Sequence, residues 1–149
     1  MPIRLATLHD AIGISRLLTQ LEYPGTEEFL EIRLAAMLQD PAETLLVWEE
    51  PADQVQTTGP PRLLALLSLH FIPQIALKGD FARISYFVVD DLAHGQGIGK
   101  EMEAEATRLA RKQGCDRLEV HCASRRTEAH LFYAKRGYME SPKYLIKKL

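Results

Sequence analysis

The stretch Ile84-Ser85-Tyr86-Phe87-Val88-Val89-Asp90-Asp91-Leu92-Ala93-His94-Gly95-Gln96-Gly97-Ile98-Gly99-Lys100 decides how this chain is read. Its first six residues favour extended backbone and read as a buried strand. Residues 98–106 read as the start of a helix, and a glycine-rich turn lies between the two. Glycine has no Cβ, so the backbone there can approach a ligand closely. The first N–H groups of a helix have no acceptor within it, and the macrodipole adds partial positive charge. A strand, a glycine turn and a helix start therefore make an anion site suited to a phosphate or pyrophosphate.

Spacing separates the known phosphate binders. A dinucleotide fingerprint needs Gly-x-Gly-x-x-Gly, whereas here the glycines fall at 95, 97 and 99. A P-loop needs Ser or Thr after Gly-Lys, and Gly99-Lys100 is followed by Glu101. The pattern His94-Gly95-Gln96-Gly97-Ile98-Gly99 resembles the acetyl-coenzyme A loop of the GNAT superfamily of N-acetyltransferases: Arg or Gln, two residues, Gly, one residue, then Gly or Ala. His94 stands where the family usually has Arg or Gln.

A second stretch carries the same resemblance. In Arg126-Thr127-Glu128-Ala129-His130-Leu131-Phe132-Tyr133-Ala134-Lys135-Arg136-Gly137-Tyr138, the Ala129, Phe132-Tyr133 and Gly137-Tyr138 positions match a GNAT signature. That signature runs Asn, two residues, Ala, an aromatic-Tyr pair, and a Gly-Phe or Gly-Tyr end. Arg126 stands where many members have Asn. The likeness covers residues 81–139 closely, and residues 1–80 carry no signature.

The resemblance implies a mixed α/β fold, with a central, mostly antiparallel mixed sheet flanked by helices, as a single domain over residues 1–149. It implies acetyl-coenzyme A as cosubstrate and a primary amine, of a small molecule or a peptide, as acceptor. The strand before the glycine loop splays from its neighbour in this family, and its main chain binds the pantetheine arm; here those residues are Phe87, Val88 and Val89. His94, Gly95, Gln96, Gly97, Ile98, Gly99 and Lys100 would embrace the pyrophosphate. Arg126 either binds the coenzyme or faces solvent. Tyr133 matches the tyrosine that often protonates the departing thiolate, and its alternative role is packing. A tyrosine of ordinary pKa, ~10, is protonated at neutral pH.

The proton acceptor has several candidates. Glu119 and His121 alternate along one strand and share a side. Glu119 is the first candidate, directly or through water, and His121 the second. Glu119 beside Arg117 or Arg83 reads equally as an ion pair. His70 is a third candidate. Asp90 and Asp91 read as turn residues whose side chains bond local backbone. Two other functions stay open: an acyl-coenzyme A-binding regulatory module without turnover, and an acyltransferase with a different donor or acceptor.

The remaining chain is read in order. Residues 3–6 form a strand. Asp10 caps a helix to about residue 21, with Ile14, Leu17, Leu18 and Leu21 on one face. Thr26 opens a second helix to about residue 39. Residues 44–49 and 63–71 pair as an antiparallel hairpin. Residues 51–61 and 72–80 are loops, and Ile75 and Leu77 are expected to cover a site. The helix after the glycine loop runs to about residue 113, and Gly114 ends it. Residues 117–122 form a strand, Thr127 caps a last helix, and residues 138–149 supply terminal strand material. The apolar C-terminal strand is the expected edge for a homodimer, an assembly common among relatives.

Composition excludes other classes. One hundred and forty-nine residues suit one core, and a net charge of −2 gives no basic footprint for nucleic acid. No apolar run approaches a bilayer span, and the N-terminus lacks a signal peptide's apolar segment. Cys115 and Cys122 form no Cys-x-x-Cys pair, so reduced thiols, no metal and a cytoplasmic location are expected.

Overall fold

The computed structural model describes residues 2–51, 61–122, 126–141 and 145–149. Strand β1 (Ile3–Leu5) leads into helix α1 (Ala11–Gln20), then α2 (Leu30–Gln39), and strands β2 (Glu43–Glu49), β3 (Leu63–Ile72) and β4 (Phe81–Val89) follow. Helix α3 (Ile98–Lys112), strand β5 (Leu118–Val120) and helix α4 (Thr127–Lys135) complete the described elements. The strands form one sheet in the order β1-β2-β3-β4-β5. The first three junctions are antiparallel, and β4 and β5 are parallel, joined through α3. This is the mixed, mostly antiparallel sheet flanked by helices that the sequence implied.

Helices cover both faces of the sheet, and each face has its own core. Ile98, Met102, Ala106 and Ala110 of α3 pack on Leu67, Leu69, Ala82 and Ile84. Ile14, Leu17 and Leu18 of α1, with Leu30 and Leu34 of α2, pack on Leu45, Val47, Leu66 and Val88. β3 lies between these layers, so its residues 63–69 are all buried, as a strand covered on both faces must be. Gly114, with φ 79°, ends the α3 segment as its position predicts.

Four local expectations need correction. Asp10 stands at the start of α1 but does not cap it. Its carboxylate turns back to the Thr7 N–H (2.8 Å) and takes two bonds from Arg4 (2.8 and 3.0 Å). Thr26 opens only a short 3-10 turn, because its hydroxyl pairs with Ser15 (2.7 Å) in the core, and α2 begins at Leu30. Arg126, not Thr127, occupies the position before α4. Leu145, Ile146 and Leu149 are exposed and residues 145–149 form no strand. An apolar tail becomes a strand only where a neighbouring edge supplies a ladder, and β5 is three residues long. The edge expected for a homodimer is thus not formed by residues 145–149. Tyr144 and residues 52–60 lie outside the described residues. Ile75 and Leu77 are exposed on their loop.

One buried carboxylate joins α1, β3 and the loop after β4. Asp90 is fully buried and accepts from Arg16 (2.5 Å), Arg62 (2.9 Å) and the Leu92 N–H (2.9 Å). The Leu92 bond is the local turn contact read from sequence. Burial alone would raise the Asp90 pKa, but the Leu92 N–H, Arg62 and Arg16 outweigh it and hold it at about 2. A carboxylate lowered in this way stabilises the fold above its unfolded value near ~4, and the contribution is lost as pH falls through the folded value. Asp90→Asn should therefore lower the unfolding free energy by about 2 kcal/mol at pH 7 in urea titrations. The gap from the parent should narrow as pH drops from about 4 towards 2.

Candidate functional site

The site begins where β4 leaves β5. The two strands pair at only three positions, Ala82 with Leu118, Arg83 with Glu119, and Ile84 with Val120. The next residue, Ser85, is a bulge: β3 pairs Leu69 with Ile84 and then Ser68 with Tyr86, leaving Ser85 without a partner. A bulge bends its strand and increases the local twist. Beyond it, residues 86–89 follow β3 and have no partner in β5.

The register fixes which backbone groups face the gap. The Asp90 N–H bonds to the Leu64 carbonyl (2.7 Å). Antiparallel ladders alternate hydrogen-bonded and open pairs, so Val88 bonds to Leu66, while Phe87 and Val89 turn their main-chain groups away from β3. Of the three residues expected to bind pantetheine, Phe87 and Val89 therefore face the gap, and the Val88 main chain belongs to the β3 ladder. A His94 ring nitrogen, Nε2, lies 2.9 Å from the Val89 carbonyl oxygen. His94 thus folds the loop back onto the end of β4.

The glycine loop continues from that end. Gly95 and Gly97 have φ of 83° and 80°, the left-handed region where only glycine is unstrained. Gly97 immediately precedes α3 with no side-chain cap, so the N–H groups of Ile98, Gly99 and Lys100 have no acceptor within the helix. Ile98 is buried and anchors the helix, while Gln96 and Lys100 are exposed beside it. Gly99 has a different role: a Cβ there would lie 3.3 Å from the Phe132 ring. Its lack of a side chain lets α4 rest against the start of α3.

Helix α4 brings an aromatic chain to the gap. Phe132 stands edge-on to Phe87 (5.9 Å) and to Tyr133 (5.3 Å). Tyr133 in turn meets Tyr138 (5.2 Å). Burial raises the Tyr133 pKa well above its ordinary value, and the charges of Cys122 and Glu103 add to that, against a smaller opposing effect of Arg126. The phenol is therefore a proton donor throughout the neutral range. Cys122, two residues past the end of β5, is a free thiol whose pKa burial pushes up.

The opposite side of the opening is closed by the turn after α1. Tyr23 packs edge-on to Tyr86 (5.3 Å), and Arg126 donates to the Leu21 carbonyl (3.2 Å) and to Glu22 (2.9 Å). Arg126 thus ties α4 to this turn. Glu22 has φ 73°, a rare left-handed conformation for a glutamate. Glu119 receives bonds from Arg117 (2.7 Å) and Arg83 (3.2 Å). Burial works against its ionisation, but Arg117 and then Arg83 outweigh it and lower its pKa. His121 follows Val120 directly, exposed at the point where the strands part. His70 is paired with Glu43 and lies across from Arg83, below the opening.

Among the described residues no three His, Cys, Asp or Glu side chains gather as metal ligands do, and no helix is long and apolar enough to cross a membrane. The sequence reading missed the Ser85 bulge, the Tyr23–Tyr86 contact and the arginines on Asp90. None of these has a local signal, because each depends on a partner distant in sequence.

The sequence profile of the Acetyltransferase (GNAT) family matches residues 13–138. The chain belongs to the GNAT acetyltransferase family. Solved structures share its fold over nearly its whole length. A GNAT family acetyltransferase from Staphylococcus aureus is 19% identical, with a TM-score of 0.80 over 100% of both chains. Glucosamine-6-phosphate N-acetyltransferase from Arabidopsis thaliana is 22% identical, with a TM-score of 0.82 over 98% of this chain and 96% of that one. A transcriptional regulator from Bacillus halodurans is 20% identical, with a TM-score of 0.82 over 99% and 98%. Comparison with curated proteins gives no match.

The GNAT loop geometry makes a contrast that stability measurements can read. Nothing lies within 4 Å of a Cβ built at Gly97, so Gly97→Ala acts through its backbone alone. It should cost about 1–2 kcal/mol in urea unfolding, the penalty of a left-handed L-residue. Gly99→Ala should instead perturb the Phe132 ring, visible as altered aromatic NMR shifts.

Proposed function

We propose that this GNAT protein transfers an acetyl group from acetyl-coenzyme A to a primary amine of a small molecule or peptide. Transfer proceeds by direct attack with both substrates bound. One observation carries the reading. β4 parts from β5 at Ser85, with the glycine turn at the end of the opening and Tyr133 beside it.

The residues present fit the coenzyme. Phe87 and Val89 turn main-chain groups into the gap, where a pantetheine arm can pair as an added strand. The glycine backbone and the free N–H groups at the start of α3 suit a pyrophosphate, with Gln96 and Lys100 at its rim. The coenzyme supplies an acyl group activated as a thioester. Just past the Ser85 bulge, the Phe87 N–H that the β3 register turns into the gap can hold a carbonyl oxygen as charge develops on it. Tyr133 gives a proton to the departing thiolate. The amine must lose a proton to attack. His121 takes it in this reading, because Glu119 is held by two guanidiniums and is a weak base there. Glu119 then orders Arg83 and Arg117. The turn carrying Tyr23 forms a wall of the acceptor side.

The commitment of Glu119 also favours a second reading, a coenzyme A-binding module without turnover. Thiol release with a panel of amines, set against calorimetric binding, separates the two.

Tyr133→Phe keeps the ring and removes the donor. It should slow the transfer by about 10²–10⁴, the usual range for a positioned acid, with coenzyme affinity little changed. Parent-like turnover in that variant would leave the tyrosine a packing residue. Gly97→Val should weaken coenzyme A binding in calorimetry, and an unchanged affinity would remove the loop from the account. His121→Ala should lower the rate of transfer at pH 7 more than Glu119→Gln does.

A further inference from the structure

Helix α4 contains no fully buried residue, yet it carries the tyrosine on which the proposed transfer depends. Apolar packing alone therefore holds it weakly. A polar contact from α3 supplies what is missing. Glu103, 8% exposed, accepts from the Tyr138 hydroxyl (3.0 Å) and from Thr107 (2.7 Å). A buried carboxylate is costly unless its acceptor sites are filled, and an apolar side chain would serve the α3 core as well. Its presence calls for another reason.

Tyr138 supplies that reason. Gly137, with φ 90°, turns the chain at the end of α4, and the Tyr138 N–H bonds to the Tyr133 carbonyl (3.2 Å). The Tyr138 ring then stands 5.2 Å from the Tyr133 ring at 65°. Tyr133 is thus held between Phe132 and Tyr138, and Tyr138 is fixed to α3 by Glu103. The glycine loop precedes α3 directly, so the same helix sets both the loop and the phenol.

We propose that Glu103 and Tyr138 are positioning residues for Tyr133 in the transfer reaction. The inference rests on the acid role given to Tyr133 above. Neither residue touches the reacting atoms; they fix where the phenol points.

A double-variant cycle tests this, together with amide exchange in the coenzyme-free protein. Tyr138→Phe should lower kcat by about 10- to 10²-fold, as a small misplacement of a catalytic group does, with KM for acetyl-coenzyme A nearly unchanged. In a Tyr133→Phe background the same change should have no further effect. A purely structural role would instead multiply the two losses. Glu103→Gln keeps an acceptor for Tyr138 and should retain most of kcat, whereas Glu103→Leu should behave like Tyr138→Phe. Without coenzyme, Tyr138→Phe should speed amide exchange across residues 131–136 while the rest of the protein stays as protected as the parent. If Tyr133→Phe is slow and Tyr138→Phe turns over normally, the positioning role is wrong and the acid role stands. If Tyr133→Phe is itself normal, both fall. Unchanged exchange in α4 overturns the inference even if no amine in the panel reacts.

Discussion

A sheet that opens leaves backbone groups without partners, and the rest of this structure is arranged around that opening. β4 keeps β3 on one side throughout and gives up β5 after Ile84. Exposed main-chain N–H and C=O groups in a half-buried strand are costly unless something fills them. Here His94 meets one carbonyl, that of Val89. By the β3 register the remaining main-chain groups of Phe87 and Val89 face away from β3, into the gap.

The opening needs rigid neighbours to keep its shape. Asp90 supplies them at one end, gathering Arg16 from α1 and Arg62 from beside β3 at the point where β4 becomes the glycine loop. At the other end Glu119 is clamped by Arg83, its partner across the β4–β5 ladder, and by Arg117. Between them, aromatic contacts close the two sides: Phe87–Phe132–Tyr133–Tyr138 on the α3 side, and Tyr23–Tyr86 on the α1 side. Charges thus fix the two ends, while rings that can adjust line the middle.

How much of this was legible in the sequence depends on the range of the interaction. The glycine turn, α3, α4 and the central strands are local: their residues fix backbone conformation by spacing and by φ preference. The Phe132-Tyr133 pair was legible for the same reason. Glu119 was readable either as a base or as an ion pair, and the guanidiniums around it could be placed only once β4 lay beside β5. The Ser85 bulge has no signature, because a bulge is a mismatch between two strands. Asp10 illustrates the converse error. A good capping residue sat where a cap was needed, but Arg4 and the Thr7 N–H compete for its carboxylate. The C-terminal tail has the composition of a strand, yet residues 145–149 form none and their large apolar side chains are exposed.

In the proposed function the coenzyme pairs with the edge of β4 that faces away from β3. Residue-resolved amide hydrogen exchange with and without saturating coenzyme A tests it most directly. The Phe87 and Val89 amides should exchange readily in the free protein and become protected on binding, while Val88, already bonded to Leu66, should be protected in both states. If Phe87 and Val89 exchange at the same rate with the coenzyme bound, the coenzyme lies elsewhere and the opening has another purpose.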